Sequence, residues 1–140
     1  MKPVFFFSLM NGAAWGGSEE LWFHTALWMS RHGYKIGIGC YDWAEKQNRI
    51  SELKKAGCTI YLLPNKKGLF KKAAIKKTLH SIPFQKYGLT VVNQGGWEEI
   101  LHSPFIKEKK KTGFINFFQT QLKYSRPQFY HGCFLCNFCT

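Results

Sequence analysis

The 140-residue chain lacks long apolar runs. No stretch of about 18 apolar residues is present to build a membrane-spanning helix. The apolar opening Val4-Phe5-Phe6-Phe7-Ser8-Leu9 stops at Asn11-Gly12. That is short for a secretory signal and does not end in small residues, so it reads as a buried strand of a cytoplasmic protein. Acidic residues are scarce, 8 against 20 Lys and Arg, for a net charge of +12. The five cysteines are odd in number and irregular in spacing, which excludes a disulfide framework. Cys40 and Cys58 stand alone in strand-like surroundings and are expected to act as small hydrophobes. Neither G-x-G-x-x-G nor a P-loop is present, and no Ser-His-Asp series or catalytic carboxylate pair stands out. No RNP motif, KH loop or arginine cluster accompanies the charge, so nucleic acid is not an expected partner.

Apolar residues, in contrast, make up 45% of the chain and aromatics 17%, enough for a single globular core. The apolar segments alternate with helical patterns. Strands are predicted at 4–9, 35–40, 59–63, 89–93 and 113–118, and helices from Ser18 to His32, 44–56 and 69–80, with a helical turn at 97–102. Ser18 is the expected N-cap of the first helix, with Glu19 and Glu20 in the first turn, where the helix dipole favours negative charge. Trp22, Ala26 and Met29, joined by the row Leu21, Thr25 and Trp28, are expected to form one broad buried stripe. Gly33 and Gly57 are the expected stops of the first and second helices. In the third helix Ile75 and Leu79, with Ile82 just beyond it, should share a face. Strand–helix alternation at this spacing predicts an α/β fold, an open, doubly wound, mostly parallel sheet of Rossmann-like type. Ligands of such sheets bind beyond the carboxyl ends of the strands. Two glycine loops fall there: 11–18 after the first strand, and Asn93-Gln94-Gly95-Gly96 after the fourth.

Gly16-Gly17-Ser18 stands at a helix start, where unpaired backbone N–H groups and the dipole can hold a phosphate, a carboxylate or a sugar hydroxyl. The simpler reading is a tight turn that lets the helix pack on the sheet. No acidic residue occurs between Glu52 and Glu98, an interval holding Lys54, Lys55, Lys66, Lys67, Lys71, Lys72, Lys76, Lys77 and Lys86. This block reads as a solvated face or as an attraction for an anionic membrane surface. His24 is read as a surface or partly packed residue; His80 and His102 end helices, and Glu98-Glu99 either start a helix, the preferred reading, or face the cleft. The segment 124–140 is rich in aromatics and contains Cys133, Cys136 and Cys139. Three such thiols with His131 could in principle ligate a metal or an iron–sulfur cluster. The preferred reading is an irregular apolar tail without a metal, because a fourth Cys is missing.

The stretch Trp15-Gly16-Gly17-Ser18-Glu19-Glu20, followed by Leu27-Trp28-Met29 and Arg31-His32-Gly33-Tyr34-Lys35-Ile36-Gly37-Ile38, resembles the N-terminal domain of family 4 glycosyltransferases of the GT-B fold. Gly16, Gly17 and Glu19 match that family's Gly-Gly-x-Glu loop; Gly33 and Ile36 match the second block, with Tyr34 where histidine is usual. The likeness covers about Lys2 to Leu122. It implies one half of a GT-B architecture over 1–123, receiving a glycan or lipid-linked acceptor while a second domain holds a nucleotide-sugar donor. It also implies substrate contacts at Gly16, Gly17, Ser18, Asn93, Gln94 and Gly95, and neither a metal nor another cofactor. Three departures accompany it. No length remains for the second domain and its glutamate pair. The region Phe117-Phe118-Gln119-Thr120-Gln121 lacks the histidine found in many relatives. The composition also changes after Lys123. The expectation is a fragment inactive alone, a partner chain being one source of the missing half. The alternative is a non-catalytic module that binds an anionic membrane or partner through its lysines, peripheral at the inner face of the membrane.

Overall fold

A computed structural model describes residues 3–10, 12–65 and 71–93, and the backbone of 113–117. The elements in chain order are β1 (Val4–Ser8), α1 (Gly17–Arg31), β2 (Ile36–Tyr41), α2 (Gln47–Lys55), β3 (Thr59–Leu63), α3 (Lys71–Ser81), β4 (Leu89–Asn93) and β5 (Gly113–Phe117). A 3₁₀ turn, Ala44–Lys46, leads into α2. The sheet order is β3-β2-β1-β4-β5 and all four pairings are parallel. The predicted Rossmann-like open sheet is therefore the fold. The chain steps outward from β1 to β3, then returns to the other side of β1 for β4. With right-handed crossovers, that reversal puts α1 and α2 on one face and α3 on the other.

The side-chain period of two divides each strand between two cores. Val4 and Phe6 join Ile36, Ile38 and Cys40 beneath α1 and α2, which contribute Trp22, Phe23, Ala26, Leu27, Ile50 and Leu53. Phe5, Phe7 and Leu9 face α3, where they meet Ile75, Leu79, Ile82, Phe84 and Tyr87. The α3 core is crowded with rings: Phe5 lies 5.2 Å from Phe84 and 4.9 Å from Tyr87, both edge-on. Space for them comes from the neighbouring strand. A Cβ on Gly37 would stand 2.4 Å from the Tyr87 hydroxyl, and one on Gly39 2.8 Å from the Phe7 ring.

Several boundaries and faces depart from the sequence expectation. α1 starts at Gly17, its N-cap is Gly16, and no side chain caps it, so Ser18 is not the cap. The row Leu21, Thr25 and Trp28 is not buried; Leu21 and Trp28 are 62% and 58% exposed. The buried row beside Trp22 and Ala26 is instead Phe23 and Leu27. The same buried face takes in Glu19. Gly33 and Gly57 do stop their helices, at φ +82° and +87°. β1 ends one residue early, at Ser8, with Leu9 buried beyond it. β2 runs one residue later than expected. The stretch 97–102 lies outside the described residues, as does 124–140.

The tight approach at β2 carries a testable consequence. Gly39→Ala is expected to cost about 1–3 kcal/mol, because the methyl group must displace rings held in a packed core. Gly17→Ala, where a Cβ meets nothing within 4 Å, is expected to change stability by only about 1 kcal/mol or less. Urea unfolding of the two variants checks the contrast.

Candidate functional site

The reversal of strand order falls between β1 and β4, and their carboxyl ends frame the crevice such sheets use for ligands. Ser8 on β1 is in register with Cys40 on β2 and Asn93 on β4. All three are buried and their side chains lie on the α1 side, by strand parity. The glycine loop 12–18 therefore leaves the sheet beside Asn93. The contact is direct: the Asn93 side-chain amide donates to the Ser18 carbonyl at 3.1 Å. Two of the sequence-predicted positions thus come together. Gly16 is half-buried and packs near Met10, whereas Gly17 is exposed with open space before it. The amides of Glu19 and Glu20 both donate to the Gly16 carbonyl, at 3.0 and 3.2 Å. Gly17 and Ser18 therefore head the helix, where N–H groups have no intrahelical partner. Gln94 and Gly95 lie outside the described residues, as do Glu98, Glu99 and His102.

Beneath the loop lies a polar cluster in an otherwise apolar layer. Glu19 is fully buried, and its carboxylate gathers donors from three directions. The Ser8 hydroxyl lies 2.8 and 2.7 Å from its two oxygens. The Trp22 indole N–H also donates to it. Lys46, itself 1% exposed, places Nζ 2.6 Å from Oε1. A buried carboxylate is tolerated only when paired and hydrogen-bonded in this way.

The next residue repeats the arrangement nearer the surface. Glu20 accepts from the Trp15 indole N–H at 2.6 Å and from Arg49, whose two terminal nitrogens lie 2.8 and 3.3 Å from its oxygens. His24, a surface residue as expected, pairs with the same carboxylate at 3.1 Å. The Arg49 guanidinium lies over the Trp15 and Phe23 rings, 5.0 and 4.7 Å from their centroids. Lys46 sits 5.7 Å from the Trp15 centroid. Two adjacent acids of α1 thus meet two cations from the start of the second helical segment, and Trp15 of the glycine loop is held between them.

None of Ser8, Trp15, Lys46 or Arg49 was among the predicted site residues. Spacing carried part of the signal. Glu19, Trp22, Phe23 and Ala26 fall at i, i+3, i+4 and i+7, which puts the carboxylate on the buried stripe. Ser8 shares the parity of Val4 and Phe6. Nothing local distinguishes Lys46 from the surface lysines around it.

The described lysines of the block do not form one surface; Lys66 and Lys67 lie outside the described residues. Lys54 and Lys55 end α2, whereas Lys72, Lys76 and Lys77 are exposed on α3, across the sheet. Lys71 lies 5.5 Å from the Tyr41 ring centroid. Among the described residues, no helix is long and apolar enough to cross a membrane, and no group of His, Cys, Asp and Glu is placed to hold a metal ion. No protein-family model, curated protein or solved structure gives a significant match to the chain.

Cys40 adjoins the polar cluster, yet burial pushes its thiol up to about 12, against a smaller opposing pull from Lys46. Cys58 is also raised by burial. A thiol whose folded pKa exceeds its unfolded value favours the folded state less as pH rises through that interval. The alkaline loss of stability between about pH 9 and 12 is therefore expected to be shallower in Cys40→Ala than in the unmodified protein. Denaturant melts across that range measure it.

Proposed function

We propose that this chain is the acceptor-side N-terminal domain of a GT-B glycosyltransferase related to family 4. In the intact enzyme a sugar passes from a nucleotide-sugar donor to a glycan or lipid-linked acceptor. The observation that carries this reading is the position of the Gly16-Gly17-Ser18 loop at the strand-order reversal, joined to β4 through Asn93. The likeness of the Trp-Gly-Gly-Ser-Glu block to that family supports it. In sugar transfer the bond from the anomeric carbon to the donor diphosphate breaks, and negative charge develops on the leaving oxygen. Backbone N–H groups at Gly17 and Ser18, together with the dipole of α1, suit the stabilisation of that charge. The acceptor would occupy the crevice beyond the carboxyl ends of β1 and β4. The nucleotide would be held by a second domain, on this chain or on a partner, closing over that crevice.

The reading of a lysine-mediated membrane module finds less support. Lys54 and Lys55 lie on α2, and Lys71, Lys72, Lys76 and Lys77 on α3, on opposite faces of the sheet. A flat anionic surface would engage one set while leaving the other in solvent.

The two readings separate in one titration. Amide spectra of ¹⁵N-labelled protein are recorded with inorganic pyrophosphate, with a uridine diphosphate sugar and with anionic vesicles. The transferase reading expects saturable shifts at Gly17 and Ser18 with the two soluble ligands. Shifts confined to the lysines of α3 and elicited by vesicles alone would contradict it.

A further inference from the structure

A helix start favours anions, but this one carries two carboxylates in its first turn, Glu19 and Glu20. Left uncompensated, each would oppose the approach of a diphosphate to Gly17 and Ser18, since like charges a few ångströms apart repel. Both acids are matched. Lys46 faces Glu19 at 2.6 Å, and Arg49 faces Glu20 at 2.8 Å. The two cations stand three residues apart at the start of the second helical segment, so one short stretch serves both adjacent acids.

We infer that Lys46 and Arg49 are positioning residues of the glycine loop that act as its counter-charges, neutralising Glu19 and Glu20 so that the head of α1 accepts an anion. The inference rests on the proposed anion-binding role of that loop and assigns the groups on which the role depends. Lys46 does this within the core, where the pair is hidden from solvent. Arg49 does it at the rim. It is 38% exposed, and its guanidinium also covers the Trp15 ring, holding the residue next to Gly16. His24 lies on the outer side of the same carboxylate and is 68% exposed, so its contribution is weaker and screened by water. The arrangement explains why two acids can sit directly after a glycine loop without closing it to phosphate.

Arg49 gives the cleaner test, because its partial exposure leaves folding less dependent on it. Inorganic pyrophosphate is titrated against wild type, Arg49→Lys, Arg49→Met and the double variant Arg49→Met/Glu20→Gln. The readouts are the Gly17 and Ser18 amide shifts and the thermal midpoint of each protein. Affinity is expected to fall roughly five- to tenfold in Arg49→Met, the scale of one uncompensated charge in partly solvated protein. It should be kept within about twofold in Arg49→Lys and recovered in the double variant, where the acid has gone as well. A merely structural role for Arg49 would lower the thermal midpoint but leave affinity unchanged, or leave the double variant as weak as the single. Either result overturns the inference while the proposed function stands. Wild type giving no shift at Gly17 or Ser18 removes the proposed function, and the inference with it.

Discussion

The described residues where β1 meets α1 are arranged around one carboxylate that has no access to water. Glu19 is fully buried where the end of β1, the first turn of α1 and the start of the second helical segment meet. An ion in such a place is stable only if its neighbours replace the water it has lost. Ser8, Trp22 and Lys46 do so, each from a different part of the chain. Their hydrogen bonds tie three elements at one point. The loop ahead of Glu19 is thereby fixed at its helical end, and Asn93 fixes it again to β4. The exposed face of Gly17 thus stands on a mount tied to β1, β4 and the second helical segment, the kind of preorganised support the proposed anion site would need.

The opposite core is filled mainly by rings. Phe5 and Phe7 fill the α3 side with rings, and Gly37 and Gly39 give up their side chains to admit them. The buried ion pair lies on the other side, near the point where the strand order reverses. One polar group there stands apart in reactivity: Cys40 is in register with Ser8, but burial keeps its thiol protonated. Among the described residues, charge at the crevice is therefore set by the acid–base pairs and the helix head, with no contribution from a thiolate.

Much of the fold could be read from local pattern. Apolar runs bounded by Pro, Asn and Gly marked the strands; β1, β2 and nearly all of β4 are buried on both faces and need no polar alternation. Gly33 and Gly57 marked helix ends because both stand at positive φ. The position of the glycine loop beside Asn93 followed from strand alternation and the reversal rule. Other features depended on distant partners. Trp28 and Leu21 looked as apolar as Phe23 and Leu27, and only packing against the sheet decides which pair is covered. Ser18 looked like a cap, but its carbonyl is used by Asn93 and Gly16 takes the cap position. Lys46 is separated from Glu19 by 27 residues, and a single buried lysine looks in sequence like any surface one.

The central claim is that Glu19 and Lys46 act as a coupled pair on which this edge depends. A double-mutant cycle on stability, using Glu19→Gln, Lys46→Met and both together, measures that coupling directly. Each single change is expected to cost about 3–5 kcal/mol, since it strands a buried partner. The double change should cost at least about 2 kcal/mol less than the sum of the two. Additivity to within about 0.5 kcal/mol would show two independent side chains and contradict the account.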